Sequence, residues 1–168
     1  YLHAWVVTGQ ERDRHVVEQT LDYVLRELRL PEGGLASAQD ADTDGVEGLT
    51  YVWTLEEWSS LELDPTLLQP FEHGLHVVRG DLDQTTRERL LGIRARRPQP
   101  SRDDKAIASW NGLGIAALAE AGRRLARPDW IAAASAVADF CLTRLAGDDG
   151  RVLRSYRDGR VSGNGFLD

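Results

Sequence analysis

Residues 112–145 read GLGIAALAEAGRRLARPDWIAAASAVADFCLTRL, and this stretch decides the fold class. Its first part, 112–125, is rich in Ala and Gly, which allow a neighbouring helix to approach closely. Its second part has one apolar residue set at heptad-like spacing, namely Trp130, Ala134, Val137, Cys141 and Leu145. Because only residues 126–129 separate the two parts, the sequence predicts two antiparallel helices that form a helical hairpin.

Helical periodicity also runs through other segments and predicts helices over 14–29, 54–61 and 84–97. The helix at 54 has clear start signals. Thr54 and Glu57 match a capping box, and Trp53 and Trp58 occupy the two positions of a hydrophobic staple. After residue 145 the period changes to two, so 151–156 and 160–162 are predicted to form a β-hairpin around a two-residue turn. The sequence therefore predicts an all-α fold with short β-hairpins in its long loops.

Three connections are long, covering about 31–53, 98–111 and 146–165. Loops of this length in a compact domain are usually functional or disordered. If successive helices alternate between an outer and an inner layer, each long connection leads from the first layer to the second. The alternation predicts that all three connections emerge at one end of the helices, around a common mouth.

Composition excludes several classes of partner. The chain has 20 basic and 27 acidic residues and a net charge of −7, which disfavours nucleic acid and anionic membranes. No apolar run is long enough to span a bilayer, and no nucleotide-binding motif is present, so we expect a cytoplasmic protein without a cofactor. Lys105 is the single lysine, which indicates either a requirement for an ammonium group or chance. Cys141 is the single cysteine and is predicted to be a small buried hydrophobic residue.

The first candidate site is the acidic stretch 37–48, SAQDADTDGVEG. Asp40, Asp42, Asp44 and Glu47 allow three interpretations: a calcium loop, a catalytic acid cluster, or a solvated turn. The stretch matches the first half of an EF-hand loop, but Tyr51 occupies the twelfth position, where a bidentate Glu is required. The histidines at 73 and 76 lack a helical pattern around them, so no metal site is predicted.

The second candidate site is the segment 101–113, SRDDKAIASWNGL. Asp103 and Asp104 adjoin Lys105, and Trp110 and Asn111 follow at the start of a helix. Neighbouring carboxylates hold a proton more tightly, which can separate an acid from a base at neutral pH, and a flat indole can stack on a sugar ring. The alternative is that the aspartates cap a helix and the indole is part of the core.

Taken together, the two segments resemble the spermatogenesis-associated, thioredoxin-domain-containing protein family. The resemblance covers most of the chain from about Leu21 and rests on Gly33-Gly34, Ser37-Ala-Gln-Asp-Ala-Asp42, Tyr51-Val-Trp-Thr54, Asp103-Asp-Lys105 and Ser109-Trp-Asn-Gly-Leu113. It implies that residues 1–168 are one incomplete domain, an interior fragment of a six-hairpin glycosidase-like α/α toroid, with roughly two to three of its hairpins. It also implies a thioredoxin-like domain upstream of this fragment. The arginine-rich, lysine-poor composition indicates a bacterial source.

The resemblance implies an acidic site for carbohydrate binding, sugar hydrolysis or sugar epimerisation. Asp40 or Asp42 would act with Asp103 or Asp104 as acid and base. The implied substrate-binding residues are Gln39, Glu47, Tyr51, Trp53, Lys105, Trp110, Asn111 and Asp168. The alternative is a non-catalytic module that binds a glycan or a protein client for the thioredoxin-like domain. A partial ring would leave apolar helix faces uncovered, so we expect the fragment to self-associate.

Overall fold

The computed structural model describes residues 1–147 and 149–165, and these residues are mostly helical, as predicted. The α-helices among them are α1 (Leu2–Thr8), α2 (Glu11–Tyr23), α3 (Leu55–Ser60), α4 (Gln84–Arg94), α5 (Ala108–Arg124) and α6 (Pro128–Phe140). One π-helical turn extends α2 over Val24–Leu28, and another extends α6 over Cys141–Leu145. Helix α5 starts four residues before the predicted residue 112, and α1 is a helix that periodicity does not predict. The toroid remains a prediction.

The strands of the described residues are short, and all of their pairs are antiparallel. They are β1 (Ala38–Gln39), β2 (Asp42–Thr43), β3 (Val46–Glu47), β4 (Leu68–Pro70), β5 (His76–Val78), β6 (Arg102–Asp103), β7 (Ala106–Ile107), β8 (Leu153–Arg157) and β9 (Arg160–Asn164). Strand β1 pairs with β6, β2 with β3, and β4 with β5, while β7, β8 and β9 form one sheet in that order. The predicted β8–β9 hairpin is confirmed. Its turn residues Asp158 and Gly159 both have left-handed φ angles, 50° and 78°, which match the twist of a two-residue hairpin turn.

The described residues divide into two compact units. Unit 1 consists of residues 1–39 and the described residues from 102 onward, and unit 2 consists of Asp40–Ser101. Unit 2 is therefore an insertion in the chain between the two parts of unit 1. The single toroid domain remains a prediction.

Helices α2, α5 and α6 supply the main core of unit 1. Val17 and Leu21 of α2 pack with Leu118 of α5 and with Trp130 and Ala134 of α6. The approach of α5 to α6 is close, because a methyl group at position 122 would lie only 3.1 Å from the backbone nitrogen of residue 131. These contacts confirm the predicted helical hairpin, and the small residues of α5 are what allow the close approach.

A second core cluster of unit 1 lies where the connecting segments meet. It contains Ala36, Ala106, Phe140 and Tyr156, and the rings of Phe140 and Tyr156 are in edge-to-face contact with centroids 5.3 Å apart. The segments that follow α2, precede α5 and follow α6 thus share one set of apolar contacts. Aromatic pairs of this geometry contribute about 0.5–1.5 kcal/mol beyond the area they bury.

The core of unit 2 is built on two tryptophans. Trp53 and Trp58 are buried in edge-to-face contact, with centroids 5.8 Å apart, and pack with Leu90 of α4. The capping box is confirmed, because the Thr54 hydroxyl accepts from the Glu57 N–H and the Glu57 carboxylate accepts from the Thr54 N–H. Local sequence therefore fixes both the start of α3 and its apolar contact with the residue before the cap.

Candidate functional site

The described connections of unit 1 converge, as the alternation of helices predicts. Strand pairing places Ala38 opposite Asp103 and Gln39 opposite Arg102, and β7 joins the 102–111 segment to β8. We call these segments, 35–39, 102–111 and 151–164, the loop surface of unit 1. The remaining parts of the first two long connections belong to unit 2, and their convergence on the same mouth remains a prediction.

Asp103 is the best-defined charged group of the loop surface. Its carboxylate accepts from the Lys105 backbone N–H at 3.2 Å and from Lys105 Nζ at 3.3 Å, and Arg157 Nη1 lies at 3.5 Å. The backbone hydrogen bond from Lys105, with the charges of Lys105 and Arg157, lowers the pKa of Asp103 below its ordinary value. Asp103 is therefore ionised at neutral pH. It can accept hydrogen bonds and stabilise positive charge, but it has no proton to donate.

Asp104 is held by a different cation. Arg102 Nε donates to its carboxylate at 2.5 Å, and the same guanidinium donates to the carbonyls of Glu27 and Arg29 at 3.0 and 3.2 Å. Arg102 thereby ties the end of the π-helical turn after α2 to the segment before α5. The Asp104 carboxylate holds the Arg102 guanidinium that makes this contact.

The structure places Asn111 differently from its predicted substrate-binding role. Its side chain is 0% exposed, so it does not reach a ligand, and all three of its hydrogen bonds are internal. The amide accepts from the Leu35 N–H at 2.8 Å and donates to the carbonyls of Leu35 at 3.1 Å and Ile107 at 2.9 Å. A residue predicted to orient substrate therefore joins α5 to the 35–39 segment.

Two other predicted residues of unit 1 are placed where they can meet a ligand. The Trp110 side chain is 54% exposed at the first turn of α5, so it is not part of the core of the described residues. Gln39 is half-buried, and its Oε1 accepts from the Tyr23 hydroxyl at 2.6 Å, which leaves its amide N–H groups as donors. Lys105 is also half-exposed beside Asp103.

In unit 2 the acidic stretch forms a tight hairpin. Asp42 lies opposite Glu47 across β2 and β3, and Asp44 and Gly45 adopt left-handed φ angles of 53° and 75° in the turn. The Asp40 carboxylate accepts from the Asp42 N–H and from the Ser101 hydroxyl, both at 3.2 Å. Within residues 1–147 and 149–165, no three His, Cys, Asp or Glu side chains are grouped closely enough to hold a metal ion.

The two aromatic residues proposed as stacking faces in unit 2 are already in contact with arginines. Trp53 is 2% exposed, and the Arg97 guanidinium lies over its ring at 4.1 Å, so the structure corrects its assignment as a stacking face. Tyr51 is half-buried with the Arg94 guanidinium 5.0 Å from its ring centroid. Arg97 also donates to the carbonyls of Thr50 and Val52, so this stacked pair is part of the core of unit 2.

Sequence reasoning missed Arg157 and Tyr23, which contact predicted site residues. Arg157 could have been found, because a two-residue turn at 158–159 fixes the register of the hairpin and therefore the position of residue 157. No local signal points to Tyr23, which lies sixteen positions before Gln39 in the chain. Asp168 lies outside the described residues, and its assignment remains a prediction.

Comparison with known proteins shows similarity to spermatogenesis-associated proteins. No protein-family model matches the chain. The chain is similar to spermatogenesis-associated protein 20 of Mus musculus, with 28% identity over 194 aligned residues that cover 83% of the chain and 25% of the mouse protein. It is equally similar to the Homo sapiens protein of that name, with 28% identity over 215 aligned residues, 95% of the chain and 27% of the human protein.

The chain thus spans about a quarter of the length of the curated relatives it matches. The similarity supports the spermatogenesis-associated part of the predicted resemblance. The thioredoxin-like domain and the glycosidase-like fragment remain predictions. No helix among the described residues is long and apolar enough to cross a membrane.

Proposed function

We propose that the loop surface of unit 1 binds a carbohydrate, in a chain that forms part of a glycosidase-like α/α toroid. The observation that carries the proposal is the ionised Asp103 between Lys105 and Arg157, with the exposed Trp110 on the same connecting segment. Sugar hydroxyls are bound by charged and amide side chains, and a sugar face stacks on an aromatic ring. Gln39 adds a half-buried amide on the strand that pairs with β6.

Binding is better supported in unit 1 than acid catalysis. A general acid must be protonated at working pH, which requires a raised pKa. The pKa of Asp103 is lowered, and Asp104 is bound to Arg102 at 2.5 Å. One form of the proposal needs no proton donor from unit 1. In this form the chain is a non-catalytic module that binds a glycan or a protein client for an upstream thioredoxin-like domain.

Sugar hydrolysis or epimerisation is the second candidate. It is favoured by the hairpin of unit 2, where the exposed Asp42 and Glu47 face each other in register and Asp40 is tied to Ser101 beside them. Paired carboxylates are the arrangement from which enzymes make separate acids and bases. The pairing of Asp40 or Asp42 with Asp103 or Asp104 as acid and base remains a prediction from the sequence.

The binding proposal is tested by titrating the 168-residue chain with a panel of neutral mono- and oligosaccharides in a calorimeter. Trp110→Ala is expected to weaken binding about tenfold, because stacking on an aromatic face is worth on the order of 1 kcal/mol or more. Leu113→Ala is the matched control, since Leu113 is an exposed apolar residue of the same helix. If no sugar binds, or if both variants bind as the parent does, the proposal fails.

The catalytic candidate has a separate test. Chromatography of the same sugars after incubation would detect a hydrolysed or epimerised product. Asp42→Asn and Asp103→Asn should each abolish product formation. A product whose yield is unchanged in both variants would exclude a mechanism through these carboxylates.

A further inference from the structure

One face of the β7–β8–β9 sheet carries an unusual set of side chains. Tyr156 of β8 is buried in the core, so its neighbours in the strand, Ser155 and Arg157, lie on the opposite face. Register places Ser162 directly opposite Ser155 and Arg160 directly opposite Arg157, and residues paired in register share a face. We call these four residues the arginine–serine face.

The two arginines of this face repel each other. Like charges directly opposite across a strand pair are destabilising. Arg157 has compensating carboxylates, Asp103 at 3.5 Å and Asp158 at 3.6 Å. No carboxylate among the described residues lies within ion-pair distance of Arg160.

A third cation lies beside these two. Lys105 directly precedes β7 and contacts the same Asp103 carboxylate as Arg157. Among the described residues, the neighbourhood therefore holds three cations against the carboxylates of Asp103 and Asp158. This local excess of positive charge occurs in a chain whose net charge is −7, and it includes the single lysine of the sequence.

The two serines add hydroxyl donors next to the arginines. The Ser155 hydroxyl lies 3.5 Å from the Ser162 carbonyl, which is long for an O–H donor, so its donor capacity is largely unused. Arg157 is two residues from Ser155 along the strand, a spacing of about 7 Å on the same face. A ligand the size of a monosaccharide spans the distance from the serines to the arginines.

We propose that the arginine–serine face binds the anionic group of a sugar-sized ligand, a phosphate or a carboxylate. This inference deepens the proposed carbohydrate-binding function and rests on it for the sugar part of the ligand. A guanidinium presents several N–H donors in a plane that matches two oxygens of an oxyanion. A bound anion would also relieve the repulsion between Arg157 and Arg160, because the described residues supply no carboxylate within ion-pair distance of Arg160.

The test compares four probes on the 168-residue chain: inorganic phosphate, glucose 6-phosphate, glucuronate and glucose. Calorimetry at low salt should show glucose 6-phosphate or glucuronate binding about tenfold or more tightly than glucose, because hydrogen bonds to charged groups are the stronger ones. The advantage should shrink as salt is added. Preference for one of the two anionic sugars distinguishes phosphate from carboxylate as the recognised group.

Substitutions at Arg160 separate binding from folding. Arg160→Gln should remove the advantage of the anionic sugar. Arg160→Glu should remove it too, yet leave the melting temperature unchanged or higher, because a Glu opposite Arg157 replaces repulsion with attraction. Arg123→Gln is the matched control, since Arg123 is an exposed residue of α5 and lies outside the loop surface of unit 1.

The outcomes for this site and for the proposed function differ. If glucose, glucose 6-phosphate and glucuronate bind equally well, and substitution of Arg160 does not change their binding, the anion site is overturned while the carbohydrate function stands. Binding of inorganic phosphate that is lost in Arg160→Gln, with no sugar bound, would support the anion site and remove the carbohydrate function. Failure of all four probes would overturn both.

Discussion

Replacement of Asn111 by alanine tests whether this residue is structural. The variant would leave the N–H and the carbonyl of Leu35 without partners, and Leu35 is only 7% exposed. Each buried polar group left unpaired costs about 1–3 kcal/mol, so we expect Asn111→Ala to lower the free energy of unfolding by about 3 kcal/mol. The Ile107 carbonyl also loses a donor, the Asn111 side-chain N–H, but Ile107 is the N-cap of α5, where a helical N–H is the usual alternative donor.

Two measurements check this expectation. Urea unfolding gives the change in stability, and hydrogen exchange of the Leu35 amide reports the local loss independently of unit 2. Leu113→Ala, in the same helix and 71% exposed, is the control and should change stability by less than about 0.5 kcal/mol. Unchanged stability with unchanged Leu35 exchange in Asn111→Ala would refute the structural role and return Asn111 to the list of ligand-binding candidates.

Three further changes have expected outcomes. By thermal melting, Gly112→Ala in open space should stabilise α5 by about 0.5–1 kcal/mol, whereas Gly122→Ala, facing the backbone of α6, should destabilise by about 1–3 kcal/mol. Because the pKa of Asp103 is lower in the folded chain than in the unfolded chain, the ionised carboxylate stabilises the fold above about pH 3.9, and this stabilisation is lost as pH falls through the folded pKa. When the free energy of unfolding is measured against pH, Asp103→Asn should lack this acid-dependent loss. Arg97→Lys should cost about 1.5–3 kcal/mol in urea unfolding, since an ammonium cannot donate to two carbonyls and still lie flat on Trp53.

Local signals predicted much of the fold. The helical hairpin follows from the apolar spacing of 112–145 and a four-residue connection, and the start of α3 follows from Thr54 and Glu57. The β8–β9 hairpin follows from its Asp-Gly turn. Helix α1 was missed because its seven residues are too few to show a helical period, and five of them are apolar, so no apolar face stands out from a polar one. The division into two units depends on contacts distant in sequence, which no local pattern contains.

The meeting of two connections of unit 1 could be predicted from the sequence, but the burial of individual residues in them could not. The segments 35–39 and 102–111 do meet in unit 1, as alternation of the helices predicts. The roles of Asn111 and Trp53 were wrong, because an amide or an indole beside a loop looks the same in sequence whether it faces a ligand or a core. Burial decides between them, and burial depends on partners such as Leu35 and Arg97 that lie far away in the chain.

The protonation state of Asp103 links the two proposals. An ionised carboxylate accepts hydrogen bonds and cannot give them, so its natural partners on a sugar are hydroxyl groups. The arginines at 157 and 160 only donate, so their partners on the same ligand must be acceptors, and anionic oxygens are the strongest. A neutral sugar would satisfy Asp103 but leave Arg160 without a carboxylate partner among residues 1–147 and 149–165, whereas a simple anion would satisfy Arg160 but be repelled by Asp103. A ligand with hydroxyls at one end and a phosphate or carboxylate at the other matches both sets of groups, and this requirement is why the anionic and the neutral sugar must be compared in the same titration.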